Sequence, residues 1–400
     1  MNVQELQVTT TELMGDKLNK LSSGALVATV IGAVLCALTF FTEQKSFYHS
    51  YLFAWVFWAG ISCGSMGLLL LHHTVGGGWG FVIRRFIEAG ASLIPLAALL
   101  SAPVIAGLFL GNLYAWYQPH PGHELSGFKA DWFATPFFLA RWLAYFGIWW
   151  GFSTAAIRLG RRFNTGADKS TLDHVNRLGG FGILIYVITV TFASVDWVMS
   201  LTPHWTSSIF GLLFVASQAL STMALMLFLV WQLAGDSPLV KGLGRYFRDL
   251  GNFTLAMVML WAYMSFSQYL ITYSGNTVEE LTWYQFRSTG SWRWVAVSLI
   301  AFHFAAPFLL LLTNSGMKRS PSRLGALAVL ILLMRFIDLW WLVKPTFSEQ
   351  VTLNWSDLGA PLLIGGIWLF SWAKAMRDQP IVPFHDPRLQ AHLHEVVSHA

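Results

Sequence analysis

Long apolar runs alternate with short polar ones along the whole chain, and the runs have a telling length. About twenty apolar residues on one helix cross a hydrocarbon layer of roughly 30 Å. Ten stretches reach it: 21–41, 51–71, 86–110, 132–157, 178–200, 206–233, 251–272, 290–313, 323–343 and 358–377. The pattern predicts an all-α integral membrane protein with ten transmembrane helices. Pro95, Pro103 and Pro307 fall inside such stretches, as membrane helices allow where neighbours satisfy the freed backbone groups.

The polar positions recur in order. The four-helix segment Tyr51–Leu201 returns in Ser207–Val343. Arg85 to Gly90 is matched by Tyr246 to Gly251, each with an acid and a glycine opening a hydrophobic helix. Arg141-Trp142 is matched by Arg293-Trp294, Arg177-Leu178-Gly179 by Arg323-Leu324-Gly325, and Asp196-Trp197 by Asp338-Leu339-Trp340. An even number of crossings per unit makes the repeat parallel. The division expected is a surface segment with flanking helix one over 1–50, a first bundle over 51–205, a second over 206–345, and flanking helix ten with a tail over 346–400.

Composition agrees with this division. The 400 residues are 55% hydrophobic and 11% charged, with 20 Trp and 31 Phe, which excludes an ordinary soluble core. Of the 25 Lys and Arg, 18 fall on the side of the termini and 6 on the other, with Arg335 inside a helix. That bias predicts both termini in the cytoplasm, and the net charge of +5 is a topology signal rather than a nucleic-acid footprint. Cys36 and Cys63 are too few for an iron–sulfur site or a disulfide framework. Met1–Lys20 is polar and mixed in charge, so it reads as a surface segment and not a cleavable signal. The tail from Asp378, with His385, His392, His394 and His399, reads as an extended arm without metal-ligand spacing.

Other features have plain structural readings. Gly76-Gly77-Gly78 lacks the Lys-Ser or Lys-Thr of a phosphate loop and reads as a flexible connection. Gly60, Gly64 and Gly67 form a small-residue face for close helix packing. Trp132, Trp205, Trp283 and Trp355 near helix ends suggest an interfacial belt.

Charge within lipid persists only where something uses or neutralises it. Asp196 lies 18 residues past Leu178, roughly 27 Å along its helix, which puts it near the outer face at the level of Arg141. An Arg141–Asp196 pair is expected, with Arg293–Asp338 as its repeat-related counterpart. Glu88 and Asp249, in the first turns of helices three and seven, and His72 and His73, ending helix two, mark the cytoplasmic face. His303, Arg335, Gln218 and Tyr263 approach one mid-depth layer of the second bundle, and Arg335 shares a helix face with Asp338. Histidine can change protonation near neutral pH while arginine holds fixed charge. A proton route is therefore one reading: Asp249, then His303, Arg335, Tyr263 and Gln218, then Asp338 with Arg293. A second, less equipped path would run from Glu88, His72 and His73 to Asp196 and Arg141. A satisfied polar core with interhelical ion pairs is the other reading, and sequence leaves both open.

Two stretches carry a resemblance. Phe192-Ala193-Ser194-Val195-Asp196-Trp197-Val198-Met199-Ser200-Leu201, running on to Pro203-His204-Trp205, and Tyr263-Met264-Ser265-Phe266-Ser267-Gln268-Tyr269-Leu270-Ile271, with two four-helix bundles, resemble the smaller NrfD-type (polysulfide-reductase-like) membrane subunit of bacterial alternative complex III. The resemblance implies a multi-pass subunit of the bacterial inner membrane within a quinol:cytochrome c oxidoreductase. Its implied partners are a larger paralogous membrane subunit, a periplasmic iron–sulfur subunit, multihaem and monohaem cytochrome c subunits, and a terminal oxidase. Haem and iron–sulfur clusters would belong to those partners, with none bound by this chain and quinone as its possible ligand. Relatives place quinol in the first bundle near the periplasmic face. Here that region offers Asp196 and Arg141 without an intramembrane histidine, so the resemblance gives quinol oxidation to the larger paralogue. Proton conduction or structural support is left for this chain.

Two rival classes differ in observable ways. A stand-alone secondary transporter shares internal repeats and midplane charge but favours broken helices around a substrate cavity. A haem-carrying membrane cytochrome needs facing histidine pairs, whereas only His303 is deeply placed.

Overall fold

A computed structural model describes residues 3–119, 125–162, 169–237, 240 and 243–377; the tail from Asp378 with its histidines lies outside the described residues. Those residues form helices and connections without a strand. In chain order the helices are α1 (Val3–Thr42), α2 (Gln44–Val75), α3 (Gly78–Ala91), α4 (Ile94–Leu99), α5 (Ala102–Phe109), α6 (Phe128–Trp132), α7 (Thr135–Arg162), α8 (Lys169–Trp197) and α9 (Phe210–Ala234). There follow α10 (Gly244–Gly275), α11 (Val278–Ser288), α12 (Trp292–Ser298), a π-helix (Leu299–Ala305), α13 (Ala306–Thr313), α14 (Ser315–Arg319), α15 (Pro321–Val343) and α16 (Trp355–Met376).

Among the described residues, eight helices are long and apolar enough to span a membrane, or nine if the bent α3–α5 unit is one span. The chain is a multi-pass, all-α membrane protein. Helix α7, at 28 residues, is long enough but carries Arg141, Arg158, Arg161 and Arg162, which lower its mean hydropathy.

Helices α2 and α9 form the centre and are buried along most of their length. Around α2 pack α3, α8, α9 and α16; around α9 pack α10 and α15 as well as α2 and α8. Helices α1 and α16 lie chiefly against each other and α2. The repeated Arg-Leu-Gly triplets do corresponding work. A Cβ on Gly179 of α8 would stand 2.8 Å from the Leu70 carbonyl of α2, and one on Gly325 of α15 would stand 2.6 Å from Cγ of Trp231 on α9. In each half, a glycine lets the last helix close on the first.

Several expectations need correction. The polar start is helical from Val3 and continuous with the first apolar run, α1 extending over 40 residues, with Lys17 Nζ 3.1 Å from Asp236 Oδ2. Helices α3 and α10 begin earlier than expected, so Glu88 lies ten residues past Gly78 rather than in a first turn. The expected helix over 86–110 is broken into α3, α4 and α5, with a bend of 40°. Pro95 and Pro103 open α4 and α5, where the missing amide N–H costs no internal bond. Protein donors take the carbonyls around these breaks. Ser153 Oγ donates to Ala91 O at 2.7 Å, Trp55 Nε1 to Ala97 O at 2.9 Å, and Tyr51 OH to Leu100 O at 3.0 Å.

The second irregularity has an equally local cause. Pro307 has no N–H for the carbonyl four residues earlier, that of His303. Immediately before it the helix widens to π geometry, with Ala306 N–H bonding back to Ala301 O. Gly76 and Gly77, at φ of 67° and 95°, make the turn from α2 into α3, a conformation that favours glycine.

Candidate functional site

The first charged cluster joins α7 and α8 near the end that carries Trp197. Arg141 grips Asp196 with two bonds, Nε to Oδ2 at 2.9 Å and Nη2 to Oδ1 at 2.8 Å. Tyr145, one turn along α7 and on the same face, donates to Oδ2 at 2.8 Å, and Trp132 Nε1 donates to Oδ1 at 3.0 Å. Arg141 also donates to the Trp132 carbonyl at 2.8 Å, and its guanidinium lies 4.1 Å from the Trp132 ring centroid. Four donors thus hold one carboxylate, and the bidentate fork fixes its geometry. In the adjoining connection Tyr114 OH donates to Trp197 O at 3.2 Å. Burial first, and the Asp196 charge second, hold that phenol above its ordinary pKa.

Beside this cluster lies an apolar pocket of about 270 Å³, walled by Phe128, Trp132, Phe192, Val195 and Met199, with Lys129 and Ser200 among its polar members. Lys129 Nζ donates to Pro203 O at 3.0 Å. Trp132 separates the pocket from Asp196, its ring facing one and its N–H the other.

The second cluster differs. Asp338 pairs with Arg335, three residues earlier on α15, while Arg293 is exposed beside its neighbour Trp294 and forms no ion pair among the described residues. The expected Arg293–Asp338 pair is therefore wrong: Arg335 already shares the helix face of Asp338, and Arg293, in the first turn of α12, points outward. Trp261 Nε1 donates to Asp338 Oδ2 at 3.3 Å and Arg335 Nε to Ser221 Oγ at 3.3 Å, so α9, α10 and α15 all contribute. Both donors to Asp338 meet Oδ2, in contrast with the four around Asp196.

His303 of the π-helix is fully buried, with its ring centroid 3.9 Å from that of Trp261. Among the described residues, neither ring nitrogen has a hydrogen-bond partner. The expected Tyr263 does not join this layer; it is 65% exposed, and Trp261, two residues earlier and on another face of α10, takes its place. Gln218 is buried and accepts from Tyr186 OH at 2.8 Å, a bond between α8 and α9.

At the other end, Glu88 receives Arg84 Nε at 3.0 Å and Arg85 Nη1 at 2.6 Å. Arg84 also donates to Gly160 O at 3.0 Å. A Cβ on Gly160 would lie 3.2 Å from Glu88 Oε1 and 3.5 Å from His73 Nε2, so that histidine and the acid border one spot. His72, also fully buried, packs edge-on against Trp79 and Phe81. Asp249 is half-buried on α10, its Oδ2 3.0 Å from where a Cβ on Gly78 would sit. It therefore stands where α10 meets the start of α3.

Some participants escaped the sequence reading. Arg84 was detectable, being four residues before Glu88 and hence on its face; Tyr145 stands in the same relation to Arg141. Trp132, Trp205 and Trp283 make specific contacts within the protein. Trp132 binds Asp196, and Trp205 stacks on Trp283 with centroids 4.3 Å apart; Trp355 is 69% exposed, as a belt residue would be. A further buried ion pair, Lys344 Nζ to Asp357 Oδ1 at 2.8 Å, is joined by Ser50 Oγ at 2.6 Å and ties α16 to α2. Arg287, buried and with no carboxylate partner among the described residues, donates to Trp283 O at 3.0 Å and Leu342 O at 2.7 Å. Among the described residues, no group of three or more His, Cys, Asp or Glu could hold a metal ion.

No known protein family matches the chain, and no curated protein matches it.

Proposed function

We propose that the chain is the smaller membrane subunit of a quinol:electron-acceptor oxidoreductase of the alternative complex III type, and that its second bundle conducts protons. Ten crossings follow if α3–α5, α7 and the α12–α13 unit each span once, with both termini on the arginine- and lysine-rich cytoplasmic side. The Asp196 and Glu88 clusters are then fixed, structural charges, because two arginines or an arginine with two further donors immobilise each acid. The observation that carries the proton reading is the Asp338 group. One carboxylate oxygen gathers the donors, and a buried histidine, neither ring nitrogen of which has a hydrogen-bond partner among the described residues, stands across the shared Trp261 ring. Asp249 would take up protons, and His303 and Asp338 would pass them outward, with Arg335 setting the local field.

The same reading gives the pocket beside Trp132 an occupant. Its apolar walls suit a quinone ring or isoprenoid segment, and Lys129 and Ser200 supply polar ends. Electron chemistry would belong to the haem and iron–sulfur partners. A stand-alone transporter would leave carbonyls at its broken helix to coordinate substrate ions. Here Ser153, Trp55 and Tyr51 occupy them. Co-purification with cytochromes and an iron–sulfur protein, together with quinol-driven cytochrome c reduction, tests the assignment. Uptake of a solute by the chain alone in liposomes would reject it.

A further inference from the structure

Between the two bundles lies a second, much smaller cavity, with about 20 Å³ open to water-molecule centres. Gly60 of α2, Ser217, Gln218 and Ser221 of α9, and Arg335 of α15 line it. A site of this size holds one water when two to four polar partners face it. The partners are present and incompletely used. Gln218 spends Oε1 on Tyr186, and Arg335 spends Nη1 on Asp338 and Nε on Ser221. Nε2 of Gln218, Nη2 of Arg335 and Oγ of Ser217 make no hydrogen bond with the described residues. All three side chains are more than nine-tenths buried.

We propose that this cavity binds one ordered water, which accepts from Arg335 Nη2 and Gln218 Nε2 and donates to Ser217 Oγ. The Tyr186–Gln218 bond already crosses from α8 of the first bundle to α9 of the second, and the water extends it within the second bundle to Arg335 and Asp338 on α15. The two halves are then one polar network, in which a change of charge at Asp338 reaches the phenol of Tyr186. This network lies crosswise between the bundles. It adds to the proposed proton route a coupling between halves, and its functional part rests on that route.

Gly60 supplies the test. A Cβ there would meet Gln218 Cγ at 3.4 Å and Nε2 at 3.8 Å, ordinary contacts, so Gly60→Ala fills the cavity without forcing the helices apart. Electron cryo-microscopy of the purified complex at a resolution that shows buried waters should reveal density between Gln218 and Arg335 in the wild type. The density should vanish in Gly60→Ala and persist in Gly60→Ala's control, Tyr186→Phe. Quinol-driven proton release by Gly60→Ala should fall about two- to tenfold, the effect of losing one hydrogen bond. A dry cavity in the wild type, with other buried waters resolved, overturns the proposal, as does density unmoved by Gly60→Ala. Should Asp338→Asn leave proton release intact, the proton route fails, and the density alone then decides the water.

Discussion

Arg335 holds Asp338 from within the same helix, three positions away, whereas Arg141 reaches Asp196 from a neighbouring helix. The sequence markers are equivalent in the two halves, and the geometry is not. An interhelical bidentate clamp with four donors resists rearrangement. A pair along one helix leaves Asp338 less enclosed by donors. The proposed division of labour between the bundles rests on this difference.

The clamp should be costly to break from one side. Arg141→Leu strands a buried carboxylate and is expected to destabilise the protein by about 3–5 kcal/mol. The double variant Arg141→Leu/Asp196→Leu should recover much of that, since an apolar pair leaves no uncompensated charge. Thermal unfolding of both variants in detergent checks the order.

Arg293 should be dispensable. Its side chain is exposed beside Trp294 and meets no acid among the described residues, so Arg293→Ala should change stability by no more than about 0.5 kcal/mol. A loss of several times that in thermal unfolding would restore the repeat-symmetric pairing.

The ion pair near the start of α16 fixes a flanking helix. Lys344→Met leaves Asp357 with only Ser50 and the Asn354 amide as donors, and about 3–5 kcal/mol of local stability should be lost. Hydrogen exchange in α16 should quicken more than in α9.

How much of this was legible in sequence depends on what decides each feature. The existence of the long apolar helices follows from the apolar runs, whereas the starts of α3 and α10 and the breaks within 86–110 do not. The Arg141–Asp196 pair follows from depth counted along two helices. Repeat symmetry points Asp338 toward Arg293, but the i,i+3 spacing to Arg335, equally present in the sequence, is the pairing that forms. Depth alone cannot tell which face of α10 turns inward; Trp261, not Tyr263, holds that face. The breaks in α3–α5 and the π-helix were marked by Pro95, Pro103 and Pro307, but a proline shows where a ladder bond is missing and not how neighbours take up the carbonyl. The Lys344–Asp357 pair joins residues on opposite sides of a loop beyond the second bundle, outside the repeat that drew attention to the other charges.

Close packing between the halves should be equally specific. A Cβ on Gly64 would stand 2.6 Å from the Gln218 carbonyl oxygen, a backbone atom that cannot turn aside. Gly64→Ala should therefore separate α2 from α9 at a cost of about 1–3 kcal/mol, and the yield of folded protein should drop below that of Gly60→Ala.

The central claim is that Asp338 and His303 carry protons while Asp196 carries load between helices. Proton release per electron, measured during quinol oxidation by the reconstituted complex, tests it most directly. Asp338→Asn and His303→Leu should each abolish the protons moved beyond those that quinol oxidation itself liberates, in keeping with loss of a proton-transferring side chain, in a complex that still assembles. Wild-type proton release from both assembled variants would contradict the account.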